Sequence, residues 1–140
     1  MGLYLCVFDG SDDDNELEGV EVGSYGDFHS FRETVTTCLE NSEWGSRFPV
    51  LMLHHDSDGA WTAGEAANLE RELLAIRAAL AQLAPAPFPA GWQAEVSRLE
   101  GLRPASLADC FIDVDGEPLI DRLLELTRLA QQEYLAIHFQ

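Results

Sequence analysis

The stretch from Thr62 to Leu83 constrains the fold more than any other part of the chain. Thr62 and Glu65 have the T-x-x-E spacing of a capping box. Behind them Ala66, Leu69, Leu73, Ile76, Leu80 and Leu83 recur at three- and four-residue intervals. Glu70, Arg71, Glu72, Arg77 and Gln82 fall between them, so a long helix with one apolar side is expected. Such a stripe is core, and it needs other elements to bury it. Pro85, Pro87 and Pro89 then stop the helix and form a stiff connector. At 140 residues the chain is expected to be one domain, residues 1–140, with a buried core.

The flanking segments supply the partners. Leu3–Phe8 is a continuous apolar run ended by Asp9-Gly10, as in a buried central strand. Gly19–Val22 is β-branched and bounded by glycine, a second strand or hairpin partner. Ser24, with Asp27 in the first turn, opens a helix whose stripe is Phe28, Phe31, Val35, Cys38 and Leu39. Phe48–Leu53, entered through Pro49, reads as another strand. Trp92–Glu100 reads as a short amphipathic helix ended by Gly101, and Cys110–Asp113 as an extended segment. Asp115 is placed to cap a further helix, with Pro118 in its first turn and Leu119, Leu123, Leu126 and Ala130 on one face. Tyr134–Phe139 closes the chain as a strand. The expected fold is α+β: a single domain with one β-sheet of about four strands packed with three to four helices.

Charge excludes several functions. The chain has 25 acidic and 8 basic side chains, all arginine, for a formal charge of −17. That balance excludes an ordinary nucleic-acid surface and disfavours anionic membranes. The 46% hydrophobic fraction argues against disorder. Seven carboxylates lie between Asp9 and Glu21, and no basic residue precedes Arg32. Two readings stand: a solvated loop, or a docking surface for a basic protein, whose association a concentrated negative field would accelerate. The run Leu3–Phe8 is too short for a signal peptide and lacks a positive flank, and no apolar stretch is long enough to span a membrane. Cys6, Cys38 and Cys110 lie far apart among apolar neighbours, as buried reduced thiols would in a cytoplasmic protein.

One segment suggests chemistry. His54-His55-Asp56-Ser57-Asp58-Gly59, followed by Glu65, sets Asp56, Asp58 and Glu65 at the third, fifth and twelfth positions of a calcium loop. The first position holds His54, a poor ligand for a hard cation. A transition metal held by His54, His55 and Asp56 is the rival, but adjacent residues of an extended chain point to opposite faces. The simpler reading is a strand-to-helix turn in which Gly59 permits the bend. Asp113-Val114-Asp115-Gly116 superficially resembles the haloacid dehalogenase signature, yet Pro118 stands where that pattern has threonine and the chain has no lysine. No phosphate loop, nucleophile elbow or zinc-protease helix occurs. No catalytic residue and no cofactor is therefore expected, and Trp44, Trp61 and Trp92 are read as core lids or interface anchors.

Five stretches together carry a resemblance: MGLYLCVFDG, GVEVGSYGDF, LMLHHDSDGAW with ANLERELL, FIDVDGEPL, and the closing AIHFQ. In this order and spacing the chain resembles an immunity-protein family of bacterial polymorphic toxin systems, small cytoplasmic antidotes to secreted toxin domains. The resemblance implies one immunity-protein-like domain that binds and neutralises a cognate toxin and is not an enzyme. The charge adds a basic toxin, such as a nuclease, as the expected partner. Asp12, Asp13, Asp14, Glu16 and Glu18 are the expected contact residues, with Asp56, Asp58 and Trp61 as a second patch. The alternative is a metal-dependent enzyme or calcium-binding module centred on the His54–Glu65 loop, with Asp56, Asp58 and Glu65 as ligands.

Overall fold

The first apolar run becomes strand β1 (Gly2–Asp9), which turns at Gly10 and Ser11 into β2 (Asp12–Ser24). The computed structural model describes residues 2–55 and 58–140, with the backbone alone for residues 12–14. The acidic run is thus a strand rather than a solvated loop. Pairing with the apolar β1 supplies the backbone partners that its own side chains could not predict. The hairpin register sets Leu5 opposite Val20, Cys6 opposite Gly19, Val7 opposite Glu18 and Phe8 opposite Glu16. It shifts between Leu3 and Tyr4, between Val7 and Phe8, and again between Phe8 and Asp9. Extra residues accumulate on β2 at these points, as in β-bulges, and they bend the strand.

Helix α1 (Tyr25–Leu39) begins where expected, at Ser24, through a reciprocal capping box with Asp27. The segment at Phe48–Leu53 is not a strand. Pro49–Leu53 is helix α2, with Pro49 in its first turn. Its free backbone N–H groups explain the difference: Val50 and Leu51 donate to the Glu72 carboxylate at 3.1 and 2.9 Å. A six-residue apolar run carries no period of its own, so a cap from elsewhere in the fold decides its state. The third strand is instead β3 (Ala60–Trp61), just past the HHDSDG segment.

Helix α3 (Ala63–Leu80) carries the Thr62–Glu65 capping box and buries Ala66, Leu69, Leu73, Ile76 and Leu80. Leu83 lies beyond its end and is 38% exposed. Helix α4 (Gly91–Glu100) ends at Gly101, whose φ of 68° is the left-handed conformation glycine adopts without strain. Residues 107–110 form a single 3-10 turn. Helix α5 (Leu119–Glu133) starts at Pro118, later than an Asp115 cap would set it. Asp113 is the carboxylate that organises this entry, accepting the N–H groups of Asp115 and Glu117, both at 2.9 Å. Strand β4 (Ile137–Phe139) follows, delayed by Tyr134, which ends α5 at φ 55°.

The sheet is antiparallel in the order β2-β1-β4-β3. One face carries Leu3, Leu5, Val7, Val20, Val22, Ile137 and Phe139 into a single core with Phe28, Phe31, Leu69, Leu73, Ile76, Leu123 and Leu126 from the helices. Each such side chain contributes about 1.5–3 kcal/mol of hydrophobic stabilisation. The α+β expectation is met as one small domain with five helices among the described residues, α2 being the addition. Cys6 and Cys110 are buried as expected, but Cys38 is exposed on α1, outside the stripe that faces the core.

Candidate protein-interaction surface

Strand β2 stands at the edge of the sheet. Its C-terminal end is covered, since Val114 N–H donates to Glu21 O at 3.0 Å. The acidic stretch before Glu18 has no comparable backbone cover among the described residues. Every arginine lies outside the four strands, so the sheet carries a negative field with no countercharge of its own.

The expected contact residues fare differently. Glu16 is exposed and accepts a hydrogen bond from Tyr4 Oη at 2.6 Å. Glu18 lies on the helix side, where Arg122 Nη2 reaches Glu18 Oε1 at 3.3 Å and Gly19 O at 2.8 Å. That pairing commits part of its charge to holding α5 against the sheet. The side chains of Asp12, Asp13 and Asp14 lie outside the described residues, although their backbone belongs to β2. Asp9 closes the hairpin turn by accepting Ser11 N–H and Oγ–H at 2.9 and 2.8 Å. These bonds hold its carboxyl below the usual carboxylate range.

The second patch is not assembled as expected. Trp61 is 1% exposed, its indole N–H donates to Val50 O at 2.9 Å, and its ring packs edge-on to Phe139. Burying so large an apolar ring in the core leaves it no surface to offer a partner. Asp58 is exposed, and Asp56 lies outside the described residues. The calcium alternative loses its twelfth-position ligand to local structure: Glu65 Oε1 accepts Thr62 N–H at 2.9 Å. His54 stacks on Phe139 with ring centroids 4.2 Å apart. Among the described residues no group of three histidine, cysteine or carboxylate side chains could hold a metal ion.

The sheet face turned away from the helices holds residues that were not among the expected contacts. Tyr4, Cys6 and Phe8 alternate with the core residues Leu3, Leu5 and Val7. Cys6 sits between Gly19 on β2 and His138 on β4, and Phe8 meets His138 with ring centroids 5.5 Å apart. Tyr4 leans over Gly19, where any Cβ would overlap its ring. Burial, reinforced by the bond to Glu16, pushes the Tyr4 phenol above its ordinary value, so it remains a donor. Burial, with the nearby Glu16 charge, pushes the Cys6 thiol up to about 11 and keeps it protonated at neutral pH. The signal for this face was hidden because Leu3–Phe8 is apolar throughout, which masks the two-residue alternation.

No helix among the described residues is long and apolar enough to cross a membrane. The described residues form a two-layer domain whose acidic strand β2 stands at the sheet edge. The family model for Immunity protein 70 matches residues 3–139, and the chain belongs to that immunity protein family. None of the curated proteins and none of the solved structures compared with the chain matches it.

Proposed function

We propose that this protein binds and neutralises a cognate bacterial toxin domain whose surface is basic, a nuclease being the class that the charge suits best. The family membership supplies the toxin partner in general. The single observation favouring a basic one is strand β2, an edge strand dense in carboxylates on a sheet without arginine. A nuclease binds phosphates through a positive surface, and a row of carboxylates can occupy that surface in their place. In this reading Asp12, Asp13, Asp14 and Glu16 face the toxin, Glu18 contributes its unshared charge, and Asp58 belongs to a secondary contact. Binding takes place in the cytoplasm of the producing or neighbouring cell, requires no cofactor and performs no chemistry.

The test mixes the purified protein with the toxin domain encoded beside it. Submicromolar affinity and rescue of growth on co-expression are expected. Failure of both would remove the proposal.

A further inference from the structure

The helix-free face of the sheet combines three features that an acidic edge alone lacks. It offers half-buried aromatic surface from Tyr4 and Phe8 of β1 and the His138 ring of β4. Carboxylates flank those rings: Glu16 lies opposite Phe8, and Glu21 opposite Tyr4. Finally, the geometry is set in advance. Gly19 leaves room for the Tyr4 ring to lie across β2, and the Tyr4 hydroxyl holds Glu16 at 2.6 Å. An ordered carboxylate beside an aromatic face costs little further entropy on binding.

From this we infer that the toxin contact is centred on the helix-free face, where Tyr4, Phe8 and His138 receive arginine side chains of the toxin beside Glu16 and Glu21. The inference rests on the immunity reading and says where its energy resides. A guanidinium can stack on an aromatic ring while its N–H fork meets a carboxylate, a pairing lysine reproduces less well. Charge complementarity selects the occupant: Glu16 and Glu21 lie on this face and the strands that form it contain no arginine, so a basic protein fits it. A second copy of this chain does not, because two molecules of charge −17 repel and neither sheet carries an arginine to offer the other. The bulges on β2 argue against simple strand addition along the edge, since they break the regular ladder an added strand would need. The acidic edge then steers the encounter, and the aromatic face holds the complex.

Affinities of Tyr4→Ala and Phe8→Ala for the toxin domain encoded beside this protein are compared with those of the wild type and of Leu99→Ser. Leu99 lies on α4 and is 68% exposed. Weakening of at least about tenfold is expected for the two sheet variants, and none for Leu99→Ser. Hydroxyl-radical labelling of the unmutated protein, with and without toxin, covers the case in which a truncation disturbs folding. Labelling of Tyr4 and Phe8 is expected to fall in the complex. Sheet variants that bind like the wild type overturn the inference while the immunity reading stands. So does protection that appears at Trp92 and Val114 instead, two residues lining a groove of about 630 Å³ beside α4. A wild type that binds no toxin removes both readings together.

Discussion

The Arg122 guanidinium lies 3.4 Å from the Asp113 carboxylate, and this pair ties the entry of α5 to the acidic strand. Asp113 is buried and holds the turn of residues 113–117 through two backbone N–H groups. Arg122 extends the connection to Glu18 and to Gly19 O on β2, and it also pairs with Glu125. Burial pushes the Asp113 carboxyl above its ordinary value, against the backbone N–H groups and the Arg122 charge that favour ionisation. The electrostatics of the candidate surface and the packing of α5 therefore meet at one side chain.

Replacing Arg122 with Gln should destabilise the protein by about 2–4 kcal/mol at pH 7, measured by urea denaturation. The lower end reflects the partial exposure of Arg122, whose side chain is 20% accessible against 2% for Asp113. The variant leaves a buried carboxylate without its cation, which raises its folded pKa further. A raised carboxylate loses stability as pH rises through the folded pKa and regains it on protonation. The deficit should therefore shrink on acidification from pH 7, and a deficit that grows would refute the assignment.

The Glu40 carboxyl is shifted in the opposite direction from that of Asp113. Its buried carboxylate accepts the N–H groups of Gly45, Arg47 and Phe48 at 3.1, 3.0 and 2.9 Å, closing the loop between α1 and α2. Burial pushes its carboxyl up, but these bonds together hold it below the ordinary value. Its contribution is thus present above the unfolded pKa and lost as pH falls through the folded one. Glu40→Gln should cost about 1–3 kcal/mol at pH 7, with the gap from the wild type closing below about pH 4. Paired denaturation curves at pH 7 and pH 3.5 would read the difference.

Trp61 separates a core role from a contact role. Trp61→Ala should cost about 3–5 kcal/mol by chemical denaturation, because a fully buried indole leaves a large cavity. Trp61→Phe keeps most of the volume but loses the bond to Val50 O, and should cost about 1–2 kcal/mol. The folded Phe variant should bind toxin as the wild type does. Lost affinity at unchanged stability would return Trp61 to the interface.

Asp12, Asp13 and Asp14 should act on the rate of encounter. Converting all three to Asn should slow association several-fold at low salt and flatten its salt dependence, with little change in dissociation. Stopped-flow mixing across a salt series measures both. An unchanged association rate at low salt would show that these residues do not steer.

Local signals carried much of this fold. The capping boxes at Ser24 and Thr62 and the stripes of α1 and α3 are short-range patterns, so the sequence by itself determined those helices and the α+β class. It also determined a chain dense in negative charge before Arg32. The tertiary structure alone decided that Pro49–Leu53 is a helix, since its cap is Glu72, 22 residues from Val50. It decided that the acidic run pairs as a strand, because the partner and bulged register come from β1 rather than from the run itself. It turned Trp61 inward and set Tyr4, Phe8, His138 and Glu16 on one face. Each of these outcomes depends on backbone groups and faces meeting across long sequence separations, where an apolar or acidic run carries no period to announce them.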